Sequence, residues 1–198
     1  MIPVLTIDGP SGVGKGTVAN IMALELNWNL LDSGAIYRAF ALAASKRNIQ
    51  IDNTDELLKL ASNFDLRFKS DPSNNKLSVY LDNIEVSAEL RTEETAELAS
   101  KFATIGPLRE SLLLRQQKFK QPPGLVADGR DMGTVVFEDA PFKVFLIANV
   151  EERAQRRLKQ LQDKGIAGIL SHTLEEVQKR DERDASRKHS PLKPSKDA

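Results

Sequence analysis

The chain has 198 residues, of which 40% are hydrophobic, 28% charged and 6% aromatic, a composition typical of one globular domain. Its 28 Lys and Arg residues balance 28 Asp and Glu residues, so no overall field would attract nucleic acid. The absence of cysteine excludes disulfides, zinc thiolate sites and thiol nucleophiles. No stretch approaches the ~20 apolar residues that span a membrane, and no signal-like segment opens the chain. We therefore expect a cytoplasmic protein that binds neither nucleic acid nor membrane. We also expect a monomer, although composition does not determine the oligomeric state.

The first predicted element is a strand at residues 4–7, which runs into a glycine-rich loop. The loop spans residues 9–17 and reads Gly-Pro-Ser-Gly-Val-Gly-Lys-Gly-Thr. Glycines let successive backbone N–H groups face one anion, and the helix predicted over 17–26 adds its positive end. Lys15 can reach the outer phosphates, so the pattern is that of a P-loop. A glycine-rich turn without a ligand is the alternative. The hydroxyl comes at Thr17, one residue later than in the general pattern.

Polar clusters follow two further apolar runs, which we predict to be buried strands at 28–31 and 125–127. The first cluster covers residues 32–38 and the second covers 128–134. Ligands collect at the carboxyl ends of parallel strands, so both clusters are expected to lie near the P-loop. Ser33 could instead simply cap the next helix.

Alternation of strands and helices predicts an α/β fold of three layers with a parallel central sheet. A last buried strand is predicted at 144–148. The remaining predicted helices cover residues 35–46, 93–105, 107–120, 151–164 and 173–185. A hairpin interrupts this order, because the runs 64–68 and 77–81 alternate apolar and polar residues around a turn at 71–75. We expect a small antiparallel insert there.

Arginines are concentrated in the last two predicted helices. Arg153, Arg156 and Arg157 precede a segment with glycines at 165 and 168, and the second helix carries Arg180, Arg183 and Arg187. The planar guanidinium suits phosphates and hydroxyls, and the glycines permit hinge motion. A solvated helix face with Asp/Arg pairs is the alternative for the second helix.

Four sequence strings together resemble the bacterial cytidylate kinase family of P-loop nucleoside monophosphate kinases. Besides the loop, they are Leu-Leu-Asp-Ser-Gly-Ala-Ile-Tyr-Arg at 30–38, Asp-Gly-Arg-Asp-Met-Gly-Thr at 128–134 and Arg-Asp-x-Arg-Asp at 180–184. The resemblance covers essentially the whole chain. It implies a single unit over 1–198, with its core at about 1–35, 93–150 and 171–198, a monophosphate-binding insert at about 36–92 and a helical lid at about 151–170. Family members usually continue past the position of Ala198 with another strand and a terminal helix.

The resemblance implies transfer of the γ-phosphoryl group of ATP to CMP or dCMP, with Mg²⁺ accompanying ATP. The implied catalytic residues are Lys15, Arg130, Arg153 and Arg157. The implied ATP-binding residues are Gly9, Pro10, Ser11, Gly12, Val13, Gly14, Lys15, Gly16, Thr17 and Arg156. Thr17 would approach Mg²⁺ mostly through water. The implied CMP-binding residues are Ser33, Tyr37, Arg38, Ser100, Arg109, Arg130, Asp131, Arg180, Asp184 and Arg187.

Two other functions stay open at this point. The chain could be a P-loop kinase for another small acceptor, such as UMP, AMP or a metabolite. Asp131 and Arg109 argue for cytosine, because a carboxylate accepts from its exocyclic amino group and repels the carbonyl of uracil. The chain could also be a nucleotide-dependent switch, but it lacks an Asn-Lys-x-Asp guanine signature. A switch would also leave the arginine-rich acceptor side unexplained.

Overall fold

The computed structural model describes residues 1–71, 76–163, 165–188 and 190–198. In chain order its elements are β1 (Val4–Asp8), α1 (Lys15–Leu26), β2 (Asn29–Asp32), α2 (Ser33–Lys46), α3 (Thr54–Asn63), β3 (Leu66–Asp71), β4 (Lys76–Leu81), β5 (Ile84–Glu85), a 3₁₀ turn (Glu89–Arg91), α4 (Glu93–Phe102), α5 (Gly106–Gln117), β6 (Leu125–Asp128), a π-helical turn (Met132–Val136), β7 (Phe142–Phe145), α6 (Val150–Gln162) and α7 (Leu170–Ala185). No helix in these ranges is both long and apolar enough to cross a membrane.

Four parallel strands form the central sheet, in the order β2-β6-β1-β7. The two inner strands, β1 and β6, are buried along their whole length, as expected for strands with a neighbour on each side and helices on both faces. Ile7 of β1 lies beside Asp128 of β6, so the ends of these strands meet at one edge. The predicted α/β fold with a parallel sheet is confirmed.

The last strand differs from its prediction. β7 pairs with β1 from Phe142, opposite Leu5, to Phe145, opposite Asp8. Since β1 ends at Asp8, the apolar residues 146–148 extend past the paired part of β7, and the prediction of a strand at 144–148 was two to three residues too late. The prediction of burial was also wrong here, because Val144 is 40% exposed and Ile147 is 80% exposed.

Hydrophobic packing covers both faces of the sheet. On one face α1 places Ala19 and Ala23 against Ile7 and its neighbours. On the other face the alanine-rich helix α2 packs closely, and the ring of Phe40 makes edge-to-face contacts with Phe64 and Phe102. These two layers hold the strands, and therefore the loops at their ends, in place.

The predicted antiparallel insert is confirmed as a three-stranded sheet in the order β3-β4-β5. Leu66 lies opposite Leu81 in the β3–β4 hairpin, whose turn at 72–75 lies outside the described residues. β5 and α3 were not predicted from the sequence. A signal for α3 existed, because the side chain of Asn53 caps it by accepting the N–H of Glu56 at 3.2 Å.

Three helix starts also differ by more than one residue from the predictions, and one of them is α1, which begins at Lys15 rather than at residue 17. The N-cap of α2 is Asp32, whose Oδ1 accepts the N–H of Ala35 at 2.8 Å. Ser33 is therefore the first helical residue and not a cap. α7 begins at Leu170 rather than at residue 173, because the backbone N–H of Thr173 already donates to the carbonyl oxygen of Ile169.

Candidate active site at the carboxyl edge of the sheet

The P-loop connects the end of β1 to the start of α1 and depends on its glycines. Gly14 has φ of 101° and occupies the N-cap of α1, while Gly9 has φ of 146°, values that side chains rarely tolerate. A Cβ at Gly9 would lie 2.3 Å from the carbonyl oxygen of Leu146. Among the described residues, no side chain caps α1. Its free N–H groups and positive end therefore face the loop, where an anion can bind.

Lys15, at the start of α1, lies folded back into this loop. Its Nζ donates to the carbonyl oxygen of Pro10 at 2.9 Å and lies 4.0 Å from Oδ1 of Asp128 at the end of β6. Burial lowers the pKa of Lys15, and the charge of Arg130 adds to that effect. Burial likewise raises the pKa of Asp128. A bound polyanion would favour the charged form of Lys15.

A cavity of about 270 Å³ adjoins the P-loop and includes Ser11, Gly12, Lys15 and Gly16 in its wall. The structure also brings into this wall every residue that the sequence analysis assigned to CMP. They come from α2, α4, α5, the segment after β6, and the end of α7 and the segment after it, and they are Ser33, Tyr37, Arg38, Ser100, Arg109, Arg130, Asp131, Arg180, Asp184 and Arg187.

One end of the cavity holds a buried charged pair. A guanidinium nitrogen of Arg109, in α5, donates to Oδ2 of Asp131, and its other terminal nitrogen donates to the carbonyl oxygen of Ala103 at 3.2 Å. The guanidinium lies 5.7 Å from the ring centre of Tyr37. Burial raises the pKa of Tyr37 to about 12, so its hydroxyl stays protonated. The pair offers a fixed carboxylate and a fixed guanidinium to a ligand's hydrogen-bonding edge.

A cluster of arginines surrounds Asp184 elsewhere in the cavity wall. Arg130 donates to Oδ2 of Asp184 at 2.9 Å, and Arg187 donates to Oδ1. Although burial works against it, the two guanidinium groups lower the pKa of Asp184. Burial and the charge of Arg130 lower the pKa of Arg180 to about 10. The Nε atoms of Arg180, Arg187 and Arg38 are buried without hydrogen-bond partners among the described residues. Positive charge thus exceeds negative charge here, as expected of an anion site.

Two serines of the site have different surroundings. Ser33 donates to Oε1 of Gln116, in α5, at 2.6 Å. Sequence reasoning missed Gln116, because nothing in a helical glutamine indicates its distant partner. The hydroxyl of Ser100, in α4, is buried and has no hydrogen-bond partner within the described part of the chain.

The three arginines of α6 that were predicted to belong to a lid do not line the cavity. Arg153, in α6, donates to both carboxylate oxygens of Asp181, in α7, at 3.0 and 2.5 Å, and to the carbonyl oxygen of Ser11 at 3.1 Å. Arg156 reaches the carbonyl oxygen of Val13 at 3.5 Å, and Arg157 pairs with Glu93. Two of the three therefore contact the backbone of the P-loop. Asp181 was part of a motif in the sequence, but its role as the partner of Arg153 was not foreseen.

Oxygen atoms that could bind a metal ion lie beside the end of the P-loop, where Asp32 and Asp128 line both the first cavity and a second one. Thr17, Asp32 and Asp128 line this second cavity, of about 420 Å³, between α1 and the insert. Within the described ranges, no three His, Cys, Asp or Glu side chains form a cluster that could hold a metal ion. A metal ion at this place would need oxygen atoms from a ligand or from water to complete its coordination.

A parallel sheet, a P-loop and an arginine-lined cavity beside it define the chain as a P-loop phosphotransferase. Comparisons with known proteins narrow this class. The family model described as cytidylate kinase matches residues 5–198. The chain is 52% identical over 198 residues to the cytidylate kinase of Aeromonas salmonicida (strain A449), covering 100% of this chain and 85% of that protein. It is 54% identical over 196 residues to the cytidylate kinase of Shigella boydii, covering 99% and 86%. The chain belongs to the cytidylate kinase family and is an enzyme of the nucleoside monophosphate kinase type, as its motifs predicted.

Proposed function

We propose that the chain transfers the γ-phosphoryl group of ATP to CMP or dCMP, giving ADP and CDP or dCDP. The observation that carries this proposal is the shared cavity, because Lys15 of the P-loop lines the same space as Arg130 and Asp131. A donor phosphate on the loop and an acceptor in the cavity would meet without any further rearrangement of the sheet. The name cytidylate kinase, common to the similar proteins, supports the same assignment.

For the donor, we assign the phosphates of ATP to the backbone N–H groups of residues 9–17 and to Lys15. The free N–H groups at the start of α1 support this assignment. Lys15 would leave the carbonyl oxygen of Pro10 and bind phosphate as a full cation. Arg153 and Arg156 already touch the loop backbone, and Arg157 lies on the same helix. Closure of this helix would bring the three guanidinium groups to the charge that develops during transfer.

For the acceptor, we assign the phosphate to Arg38, Arg130 and Arg180, and the ribose to Asp184 and Arg187. The buried Nε atoms of Arg38, Arg180 and Arg187, which have no hydrogen-bond partner among the described residues, support an anionic ligand. The attacking oxygen of a monophosphate is already ionised, so no general base is required. Positioning and neutralisation of charge then carry most of the catalysis.

For the base, we assign cytosine to the buried pair of Asp131 and Arg109, with Ser100 beside it. Asp131 accepts from the exocyclic amino group, and the guanidinium and hydroxyl groups can donate to the ring nitrogen and the carbonyl of cytosine. Uracil carries a carbonyl in place of the amino group and would face the carboxylate, which is unfavourable.

The oxygen donors beside the P-loop fit Mg²⁺, which prefers hard oxygen ligands and keeps several waters. We assign Thr17 to it, mostly through water, with Asp128 as a further oxygen nearby. Bound with ATP, Mg²⁺ would neutralise charge on the phosphates.

We keep the division into a core at about 1–35, 93–150 and 171–198, an insert at about 36–92 and a lid at about 151–170 as part of this proposal. Closure of insert and lid would exclude water and limit wasteful hydrolysis of ATP. A monomeric, cytoplasmic protein stays an expectation from the sequence.

A coupled assay of ADP release tests the proposal, with MgATP and either CMP, dCMP, UMP, AMP or no acceptor. We expect turnover with CMP and dCMP and only background release with no acceptor. Turnover confined to another monophosphate would contradict the assignment of Asp131 and Arg109 while keeping a phosphotransferase. Binding of ATP without any acceptor-dependent release of ADP would favour a nucleotide-dependent switch.

A further inference from the structure

Asp8 connects the P-loop to the segment that carries Arg130 and Asp131. It is the last residue of β1, directly before the P-loop, and is only 5% exposed. Its Oδ1 accepts the backbone N–H of Met132 at 2.9 Å, and its Oδ2 accepts that of Gly133 at 2.8 Å. These residues open the π-helical turn that directly follows Arg130 and Asp131. One carboxylate therefore ties the segment that carries the acceptor residues to the strand that carries the donor loop.

The backbone around Asp131 is held at both ends of this turn. N–H groups at the start of a helical turn have no acceptor within it, and Asp8 supplies one for each of the first two. At the other end, the N–H groups of Val135 and Val136 both donate to the carbonyl oxygen of Asp131. The direction of the Asp131 side chain towards Arg109 depends on this backbone. The hydrogen bonds to Asp8 thus fix the backbone position from which the side chain of Asp131 extends into the cavity.

Gly133 permits the close approach that these hydrogen bonds need. A Cβ at Gly133 would lie 2.8 Å from Oγ1 of Thr6 and 3.4 Å from Oδ2 of Asp8. Thr6 and Asp8 lie on the same face of β1, since successive side chains of a strand alternate. The hydroxyl of Thr6 is buried but has no hydrogen-bond partner among the described residues. Thr6 therefore contributes shape to this contact, whereas Asp8 contributes the hydrogen bonds.

We propose that Asp8 is a positioning residue for the acceptor: by holding the backbone of Met132 and Gly133, it fixes Asp131 relative to the P-loop and so sets the selection of cytosine over uracil. This inference rests on the proposed function. Nothing in the reaction requires Asp8 to touch either nucleotide, and its effect passes through the turn.

The test is Asp8→Asn, which keeps the shape of the side chain but leaves one oxygen to accept two N–H groups. We expect the KM for CMP to rise by about tenfold, because a buried N–H without an acceptor is costly and the turn will shift. The CMP-to-UMP ratio of kcat/KM should fall by about tenfold, while the KM for ATP changes by less than about twofold. A merely structural role would reduce the active fraction, which lowers kcat equally for CMP and UMP and leaves both KM values unchanged.

Thr6→Val is the matched control on the same face of β1. It preserves the shape and removes a hydroxyl that has no partner among the described residues, so the KM for CMP and the CMP-to-UMP ratio should stay at the wild-type values. Gly133→Ala disturbs the same contact between β1 and the π-helical turn, but through the turn. It replaces Asp8→Asn as the test variant if Asp8→Asn does not fold. It should raise the KM for CMP, and adding Thr6→Ala should lower it again, because the nearest atom to the new Cβ, Oγ1 of Thr6, is then gone and the next, Cδ of Lys143 at 3.2 Å, belongs to a flexible side chain.

The outcomes separate the two proposals. Wild-type protein that selects CMP, combined with an unchanged KM and ratio in Asp8→Asn or in Gly133→Ala, overturns the positioning role and leaves the proposed function standing. An equal loss of kcat for CMP and UMP with constant KM values also overturns it. Wild-type protein that does not phosphorylate CMP overturns the proposed function and this inference together.

Discussion

The P-loop and the acceptor cavity are both suited to bind phosphate, but they are built in different ways. The P-loop is one continuous segment whose contacts are local: Lys15 donates to a carbonyl only five residues away, and Gly14 caps the helix that follows. The cavity depends on contacts between distant segments: Arg109 and Asp131 are 22 positions apart in the chain, and Arg130 and Asp184 are 54 positions apart. Local sequence therefore builds the donor side, whereas tertiary packing builds the acceptor side.

The two regions also differ in charge. Lys15 has a carboxylate, Asp128, within 4.0 Å, so the loop is close to neutral before a ligand binds. The cavity holds more guanidinium groups than Asp184 and Asp131 can balance. Substitutions in the loop should therefore affect the transferred group, while substitutions in the cavity should affect which acceptor is chosen and how well it binds. The following predictions test that division, from the largest expected effect to the smallest.

Lys15→Ala tests the donor side. We expect kcat to fall by roughly a thousandfold, as is typical when a charge that stabilises the transition state is lost, with a smaller change in the KM for CMP. Steady-state release of ADP at saturating CMP measures it. Lys59→Ala, an exposed lysine of α3, is the control and should behave as wild type. A KM for CMP that rises as steeply as kcat falls would contradict the division between the regions.

Asp131→Asn tests the acceptor side. The amide keeps one acceptor oxygen but has an NH2 donor in place of the other, so it cannot accept from both cytosine and Arg109, and the buried Arg109 loses its carboxylate. We expect kcat/KM for CMP to fall by about a hundredfold, because a charged hydrogen bond is lost in a buried site, and kcat/KM for UMP to fall much less. Competition assays with both acceptors measure the ratio. Asp139→Asn, at an exposed residue, is the control. Equal losses for CMP and UMP would show that Asp131 does not read the base.

Asp181→Asn tests the contact between the two regions. Its carboxylate holds Arg153, which in turn holds the carbonyl oxygen of Ser11 in the P-loop. Weakening this charged pair should raise the KM values for both ATP and CMP by about tenfold, since both regions lose a shared support. The neighbouring Glu182→Gln, at an exposed position, should change neither. A change confined to one substrate would mean that the regions are independent at this point.

The pH dependence of stability tests the burial of Asp8 between the regions. Burial raises its pKa from 3.8 to about 6, helped by Asp131 and opposed by Lys15 and the two backbone N–H groups. The folded chain thus holds this proton more tightly than the unfolded chain. The free energy of unfolding should therefore fall by about 1 kcal/mol from this group between about pH 5 and pH 7.

Urea unfolding of wild type and Asp8→Asn across this pH range measures that contribution. The variant lacks the titrating group, so the stability of wild type relative to the variant should decline as the pH rises. A difference in unfolding free energy that stays constant with pH would show that Asp8 titrates normally and is not desolvated.

Sequence reasoning succeeded where the signal is local. The inner strands, the P-loop and the β3–β4 hairpin follow from short patterns of apolar residues, glycines and turn residues, and the structure has all three. It missed α3 although a cap and apolar spacing were present. It also misplaced β7, because the end of a strand depends on where its neighbour ends. No local pattern indicates that Gln116 meets Ser33 across 83 positions of the chain.

The sequence by itself determined the fold class, the phosphate-binding loop, the family and the residues that are brought together in one cavity. It did so because glycine geometry, strand periodicity and family strings are properties of neighbouring residues. Only the tertiary structure decided which charges meet: Asp181 with Arg153, Asp184 with Arg130, and Asp8 with the turn after Asp131. Such pairs arise from the packing of helices and loops on the sheet, and a side chain's partner across that packing is not encoded in its own neighbourhood.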